Sequence, residues 1–512
     1  MRTKQNAAFS AALFAVYAGW CIVLLFVHEP WRDEVQSWLL VRDLDFVTLL
    51  SQLRYDGHPA GWFLLLWPLA KLGLPFMAQR LLHMAIVLAA AGIVCFKARS
   101  TVFKLFILAA TPLMYELSAL SRNYAMSALA LLIFAVFYKE RFERGLLPAC
   151  VCLFFLINSN IYGAIAGAAL IGGEIVLLVS RRFHPVLRRE ASPQPLRAAA
   201  YFATAAVSFV CVYLIVFSDI FVRYNPVPLH AGAHFTIIQE YGFGFQRLAD
   251  AFFRVGNASV LGALPAHTDF IPKPVITLGC TLLILCGIAG AVLTARKTAS
   301  RFWIAAVCLC AYAGTVLALT VTGIFNIRHG VPFVFVLAAS WFIALEERDT
   351  GPRISRISPV IRGLGVFAAC VVFIGAFSLN VYRSALDVKR PYSTGMEAAA
   401  FLKDYGYDTD DTLILATGHP FVSTVLGFTE NIKTFRYVYG DCSFALWQVY
   451  NSRYEHSFGL SEFIRQQAEA HRGQTVLFIS PREIALDYPV VFDSRDRDAI
   501  MDETYTIWLV AG

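Results

Sequence analysis

Charge is scarce in this chain. Only 15% of its 512 residues are Asp, Glu, Lys or Arg, where soluble domains carry roughly 25%. A soluble protein so poor in charge has no means of covering its surface. Hydrophobic residues make up 58% and the mean hydropathy is +0.59. The deficit excludes an ordinary soluble enzyme and predicts a polytopic membrane protein. The net charge of +7 is small for the length and calls for no nucleic acid partner, since basic residues in such a protein belong first to cytoplasmic loops. Cysteine is almost lacking outside the apolar segments: ten of the eleven fall within them and only Cys442 lies in polar sequence. No disulfide framework is expected, and neither Cys150-x-Cys152 nor Cys308-x-Cys310 has a zinc-type partner segment. Internal repeats and low-complexity tracts are lacking as well.

What is present is a series of apolar runs of membrane length. Spans are predicted at 8–27, 77–96, 103–120, 124–138, 147–161, 162–180, 198–218, 274–294, 302–322, 330–345 and 363–380. The N-terminal stretch has a basic start and an apolar core of about twenty residues, longer than a cleaved signal peptide needs, so it reads as an uncleaved first helix. Alternate connections are basic: Arg2 and Lys4; Lys97, Arg99 and Lys104; Lys139, Arg141 and Arg144; the cluster from Arg181 to Arg197; Arg296, Lys297 and Arg301; and the cluster from Arg348 to Arg362. These loops are assigned to the cytoplasm. The N-terminus is then inside and, after eleven spans, the C-terminus outside.

The segment 58–75 is apolar enough to suggest a further span, but a crossing there would send every later basic loop outside. It reads instead as a helix at the outer interface, with Trp62 and Trp67 suited to the headgroup region. The first outer loop runs from 28 to 76 and the second from 219 to 273. Residues 1–380 thus form the transmembrane domain. Residues 381–512 are richer in charge and hold no membrane-length run. TLILAT (412–417), TVLFIS (475–480) and TYTIWLV (504–510) read as buried strands. GMEAAAFLKDY (395–405) and SEFIRQQAEAHR (461–472) read as amphipathic helices. A small extracytoplasmic α/β domain with a partly parallel sheet is expected.

The outer loops should converge on one face. They supply Asp33, Glu34, Asp56 and His58 from the first loop, Arg122 and Tyr124 from SALSRNYA, and Arg328 and His329 from FNIRHGVP; the second long loop adds Arg223, Tyr224, His230 and His234. A carboxylate at a partly dry cavity accepts a proton from a nucleophile. Arginines at helix ends hold a phosphate by paired hydrogen bonds, and are costly to bury without an anionic partner. The set suits a reaction on a lipid-linked phosphate at the membrane surface. Plainer readings stand beside this one. The acidic pair also fits a helix cap, the arginines fit snorkelling residues that set span position, and the histidines fit surface or packing roles.

The Asp33-Glu34 pair after the first span, the RYDGHPAGWFLLLW entry into an aromatic helix, SRNYA, and IRHGVPFVFVL together resemble the GT-C superfamily of integral-membrane glycosyltransferases. The likeness is strongest to the branch of the protein O-mannosyltransferases and the lipid A aminoarabinose transferase. PYSTGMEAAAFLKDYG is similar to the start of the outer domain in bacterial relatives. The resemblance implies sugar transfer from a polyprenyl-phosphate donor to an acceptor glycan, lipid or protein, in a bacterial inner membrane. It implies Asp33 as catalytic base, supported by Glu34; Arg122, Arg328 and Tyr124 toward the donor phosphate; and Asp56, His58 and His329 lining the cavity. Two departures stand out. Pro59-Ala60 replaces the double proline of many relatives, and Asn123 stands where many carry a second acid. No cofactor is implied, and a divalent metal is left open. A transporter or flippase of lipid-linked sugars would also place charges among helices, although polar residues near span centres are few. An O-antigen ligase or polymerase-type transferase would use the same donors.

Overall fold

Backbone groups in hydrocarbon must satisfy their own hydrogen bonds, which makes a lipid-crossing apolar run a helix. A computed structural model has this outcome: a helical bundle with a six-stranded sheet packed against one end. The structure describes residues 2–189, 193–218, 220–221, 245–261, 272–322, 327–348, 359–417, 419–437, 440–443, 459–481, 483–501 and 503–512.

α1 (Arg2–Val27) runs from a far end, where Lys104 donates to Ser10 Oγ (2.7 Å), to a near end, where His28 meets Asp387 (2.9 Å). At the near end α2 (Arg32–Asp43), α3 (Phe46–Asp56) and α4 (Gly61–Lys71) fill the first long connection. α5 (Met77–Lys97) returns to the far end, where Phe96 packs on Phe14. α6 (Thr101–Ala110) and α7 (Glu116–Ala119) come back, bringing Tyr115 to Asp387. α8 (Tyr124–Phe137) leads to the far end, where Tyr138 packs on Trp303, and α9 (Leu146–Ile157) returns to Asn158 beside Gly61. α10 (Ile161–Phe183) carries Glu174 to Arg141 at the far end. α11 (Pro185–Arg189) and α12 (Pro195–Val212), extended by a π turn through Phe217, follow. α13 (Phe245–Leu261) packs beside α14 (Lys273–Thr294) and α15 (Thr298–Thr322). α16 (Val331–Arg348) starts beside Arg328 and ends at Glu347, which accepts from Arg296 N, Lys297 N and Ser300 Oγ at the far end. α17 (Pro359–Lys389) closes the bundle at Asp387.

The two ends therefore alternate along the chain, and α1 begins opposite the sheet. Among the described residues eight helices are long and apolar enough to cross a membrane. They match eight of the predicted runs. The other three predicted runs, 103–120, 124–138 and 147–161, are shorter helices that also lead from one end of the bundle to the other. The run at 103–120 is broken because Pro112 has no N–H to donate and forces Thr111 into extended backbone (φ −117°, ψ 173°), which ends α6. The run at 363–380 continues to Lys389. The interfacial segment is a helix only over Gly61–Lys71. Its Trp67 is half-buried and lies over Lys71, but Trp62 is buried against His83 instead of facing headgroups.

After α17 come α18 (Gly395–Asp404), β1 (Thr412–Ala416), α19 (His419–Leu426), β2 (Thr434–Tyr437), β3 (Gly440–Ser443), α20 (Leu460–Ala470), β4 (Thr475–Ser480), β5 (Val490–Asp493) and β6 (Thr506–Ala511). The strand order is β3-β2-β1-β4-β6-β5, with β1 parallel to both β2 and β4 and the other pairs antiparallel. Side chains alternate across the sheet. Ile414, Leu477, Ile479 and Ile507 join the core that continues into the bundle, while Leu413, Leu415, Val476, Phe478 and Trp508 pack around Ile464 of α20. The sheet layer is seated through α19 on α2. There Gly427 comes so close that an added Cβ would stand 2.0 Å from Val35 Cγ1.

Candidate active site

Asp33 and Glu34 are neighbours in the first turn of α2, where the helix dipole favours negative charge. One residue turns a helix by about 100°, so the two carboxylates face different surroundings.

Glu34 points inward and its side chain is wholly buried. One oxygen accepts from Ser121 N (2.6 Å) and Ser121 Oγ (2.7 Å); the other meets His28 Nε2 (3.0 Å) and the amide of Trp31 (3.4 Å). His28 Nδ1 reaches Asp387 Oδ2 (2.9 Å), which also accepts from Tyr115 (3.1 Å). A ring with a carboxylate on each nitrogen is an imidazolium. Burial opposes that charge, but Glu34 and Asp387 outweigh it and raise the His28 pKa to about 9. Burial likewise opposes ionisation of Glu34, and His28 with its companions overrides it, to about 2. This Glu34-His28-Asp387-Tyr115 chain ties the near ends of α1, α2, α7 and α17 together.

Asp33 points outward, with its side chain 26% exposed. Its Oδ2 receives Arg328 Nη2 (2.5 Å), and Arg32 Nε lies 3.7 Å from Oδ1. Burial raises its pKa, but Arg328, Arg122 and Arg32 bring it below the usual aspartate value. The Arg328 guanidinium lies over the Trp31 ring, 4.7 Å from its centroid. Arg122 binds the backbone carbonyl of Asp33 through Nη1, which also donates to Ser37 Oγ (2.9 Å), while Nη2 donates to His58 Nε2 (3.1 Å). An accepting Nε2 places the His58 proton on Nδ1. Burial and the charges of Arg122, His329 and Arg328 hold that ring well below the ordinary histidine pKa, hence neutral.

Asp56 and His58 reach the site because Gly57 ends α3 in the left-handed region (φ 71°), which glycine adopts without strain. Burial raises the Asp56 pKa to about 6, opposed by Arg122 and assisted by Asp33. His329 stacks on Tyr162 (4.8 Å between centroids) and lies beside Tyr124 (5.9 Å), which meets His58 edge-on. Asn123 is turned below the site, donating to the Ser159 carbonyl (2.9 Å). Among the described residues, buried polar atoms here without a hydrogen-bond partner include Arg328 Nη1, Arg122 Nε, His58 Nδ1 and Asp56 Oδ2. Buried polar atoms of this kind call for a further partner, such as water, an ion or a bound polar group.

The structure thus gathers Asp33, Asp56, His58, Arg122, Tyr124, Arg328 and His329 at one end of the bundle and turns Glu34 away from them. Arg223, Tyr224, His230 and His234 lie outside the described residues. The last two stand as His-x-x-x-His, a spacing compatible with a metal. Among the described residues no group of three or more His, Cys, Asp or Glu is placed to hold a metal ion. Sequence reasoning missed His28, Trp31, Ser121 and Asp387. The available signal was position: His28 follows immediately on the first span, and an uninterrupted α17 would have carried Asp387 to the same level.

No protein-family model matches the chain, and no curated protein matches it in sequence. Among solved structures it is similar to ArnT from Cupriavidus metallidurans in the apo state, with 14% identity and a TM-score of 0.52, covering 100% of this chain and 99% of that one. It is also similar to the arabinofuranosyltransferase AftD from mycobacteria, with 14% identity and a TM-score of 0.41, over 98% of this chain and 40% of that one. The chain is a multi-pass membrane protein with a GT-C-like fold. At this identity the likeness is one of fold.

Proposed function

We propose that the protein is a glycosyltransferase that moves a sugar from a polyprenyl-phosphate donor to an acceptor at one face of the membrane. The observation that carries this reading is the Asp33 carboxylate held by Arg328 beside Arg122, with Arg328 Nη1 and Arg122 Nε left without a partner among the described residues and a neutral His58 around it. Asp33 takes the acceptor hydroxyl proton as that oxygen attacks the anomeric carbon. The bond from that carbon to the phosphate oxygen breaks, and polyprenyl phosphate leaves with the electron pair, stabilised by Arg122 and Arg328. A single displacement inverts the anomeric configuration. Before donor binds, Arg328 holds Asp33 as a weak base. A donor phosphate competes for Arg328 and restores the basicity of Asp33 as the substrate arrives. Tyr124, Asp56 and His329 line the donor side, and Glu34 acts from beneath by holding the Ser121-Arg122 turn. The acceptor is a glycan, lipid or protein. The membrane is the bacterial inner membrane, with residues 381–512 on its outer side and the N-terminus in the cytoplasm.

The test uses the purified full-length chain and Asp33→Asn, each incubated with polyprenyl-phosphate sugars and a membrane extract, with release of free polyprenyl phosphate as readout. Loss of a positioned base lowers turnover by about 10²–10⁴-fold. Equal turnover by a folded Asp33→Asn variant removes Asp33 from the chemistry and sinks the mechanism.

A further inference from the structure

The segment just before β6 reaches into this site. Ile500 N donates to the Pro391 carbonyl (2.9 Å) and Met501 N to that of Tyr392 (3.1 Å). Both side chains pack on a cluster of Trp31, Leu120 and Tyr392. Trp31 precedes Arg32 and Asp33, and Leu120 precedes Ser121 and Arg122. One C-terminal segment therefore braces both turns that supply the site.

From this segment Glu503 enters with its side chain wholly buried. Its backbone carbonyl is fixed by Thr394 N (2.9 Å) and Oγ1 (3.0 Å). Its carboxylate accepts the backbone N–H of Arg32 (3.3 Å), an unsatisfied donor at the start of α2. It also accepts Arg32 Nη1 (3.3 Å) and Thr424 Oγ1 (3.5 Å). The other side of the same guanidinium lies 3.7 Å from Asp33. Arg32 is thus shared between a carboxylate of the C-terminal region and the candidate base.

We infer that Glu503 is a positioning residue for Asp33: it caps the first turn of α2 and draws Arg32 away from the Asp33 carboxylate. The inference rests on Asp33 being the base of the proposed transfer. With Glu503 neutral, Arg32 turns to Asp33, which then carries a second close guanidinium beside Arg328 and becomes a weaker base. The charged groups facing Glu503 are Arg32 and, beyond it, Asp33; Ser393, Thr424 and Tyr505 are its neutral neighbours. Burial raises the Glu503 pKa to about 7, against the pull of Arg32.

The experiment compares the full-length wild type with Glu503→Ala and Glu503→Asp by hydrogen exchange and by donor turnover across pH. In Glu503→Ala, which removes the acceptor, exchange of the peptide covering 28–43 rises about tenfold, the size expected for a lost helix cap, while β4 is unchanged. Its kcat falls about tenfold at pH 8, as for a base weakened by about one pH unit, with KM for the donor within twofold. The wild-type rise in kcat near pH 7 is absent. Glu503→Asp regains most of the kcat. Unchanged exchange over 28–43 overturns the contact itself. Raised exchange with wild-type kcat and pH profile overturns the positioning role and leaves only a brace. A wild type that releases no polyprenyl phosphate from any donor defeats the proposed function, and exchange then decides on Glu503 by itself.

Discussion

Glu34→Gln tests the claim that adjacent acids in one helical turn do opposite work. The substitution keeps the shape of the side chain but removes the charge that balances His28 and faces two donors of Ser121. Removing one partner of a buried ion pair costs about 3–5 kcal/mol. Asp387 still faces His28, but the Glu34 side chain is fully buried and its amide replacement presents an N–H to either Ser121 or His28. Asp33→Asn removes a partner from Arg328, yet Asp33 is partly exposed and Arg328 keeps the Trp31 face. Its cost is about 1 kcal/mol. The assay heats detergent-solubilised protein and measures the fraction still monodisperse by size exclusion, comparing midpoints only, since such unfolding is irreversible. Glu34→Gln lowers the midpoint by at least about 5 °C and Asp33→Asn by about 2 °C or less, on the scale of degrees per kcal/mol for large domains. Turnover follows the reverse order per folded molecule, with Asp33→Asn the more damaged. Equal midpoints, or an Asp33→Asn variant less stable than Glu34→Gln, refute the division of roles.

Further expectations can be checked with the same preparations. The pKa of His28 is raised in the fold, so its contribution is complete below its ordinary value of 6.5 and lost as pH climbs through about 9; the wild-type midpoint falls between pH 7 and 10, and Glu34→Gln flattens that slope. Arg141→Met leaves Glu174 buried and unpaired after loss of a two-pronged contact at 2.6 and 3.0 Å, costing about 3–5 kcal/mol, while the double variant with Glu174→Leu recovers most of it in the same melt. Gly61→Ala places a Cβ 2.4 Å from the Asn158 carbonyl, which already accepts Gly61 N, so the yield of monodisperse protein drops severalfold by size exclusion. Arg328→Lys keeps the charge but not the planar fork over Trp31, and polyprenyl-phosphate binding weakens about tenfold in a titration.

The apolar periodicity of the sequence made the bundle legible, because hydrocarbon leaves a chain few options. Strands β1, β4 and β6 and helices α18 and α20 were legible for a related reason: each has a buried run or an amphipathic period of its own. β2, β3 and β5 were not, since TFRY, GDCS and VVFD are short edge or near-edge segments whose strand character comes from pairing partners. The site residues were legible as an inventory of polar side chains at one level of the membrane, but their pairing was not. Asp33 meets Arg328 across 295 positions, and no local pattern encodes that choice of partner. The divergence of Asp33 from Glu34 was readable in principle from the turn of a helix. His28, by contrast, gains its meaning from Asp387, and ending the last apolar run at 380 cut that aspartate off from the span that delivers it.

The shortness of α8 sets the depth at which charge resides. Its 14 residues rise about 21 Å between the Arg122 layer and the Tyr138-Arg141 layer, while the hydrocarbon of a bilayer is about 30 Å thick. The two polar layers therefore stand closer together than the lipid surfaces they sit between. In a bilayer of that thickness at least one layer then lies below the headgroups. The consequence is one of depth: in a bilayer of ordinary thickness, whatever meets the Arg122 layer and whatever meets the Tyr138-Arg141 layer are separated by less distance than the two headgroup regions.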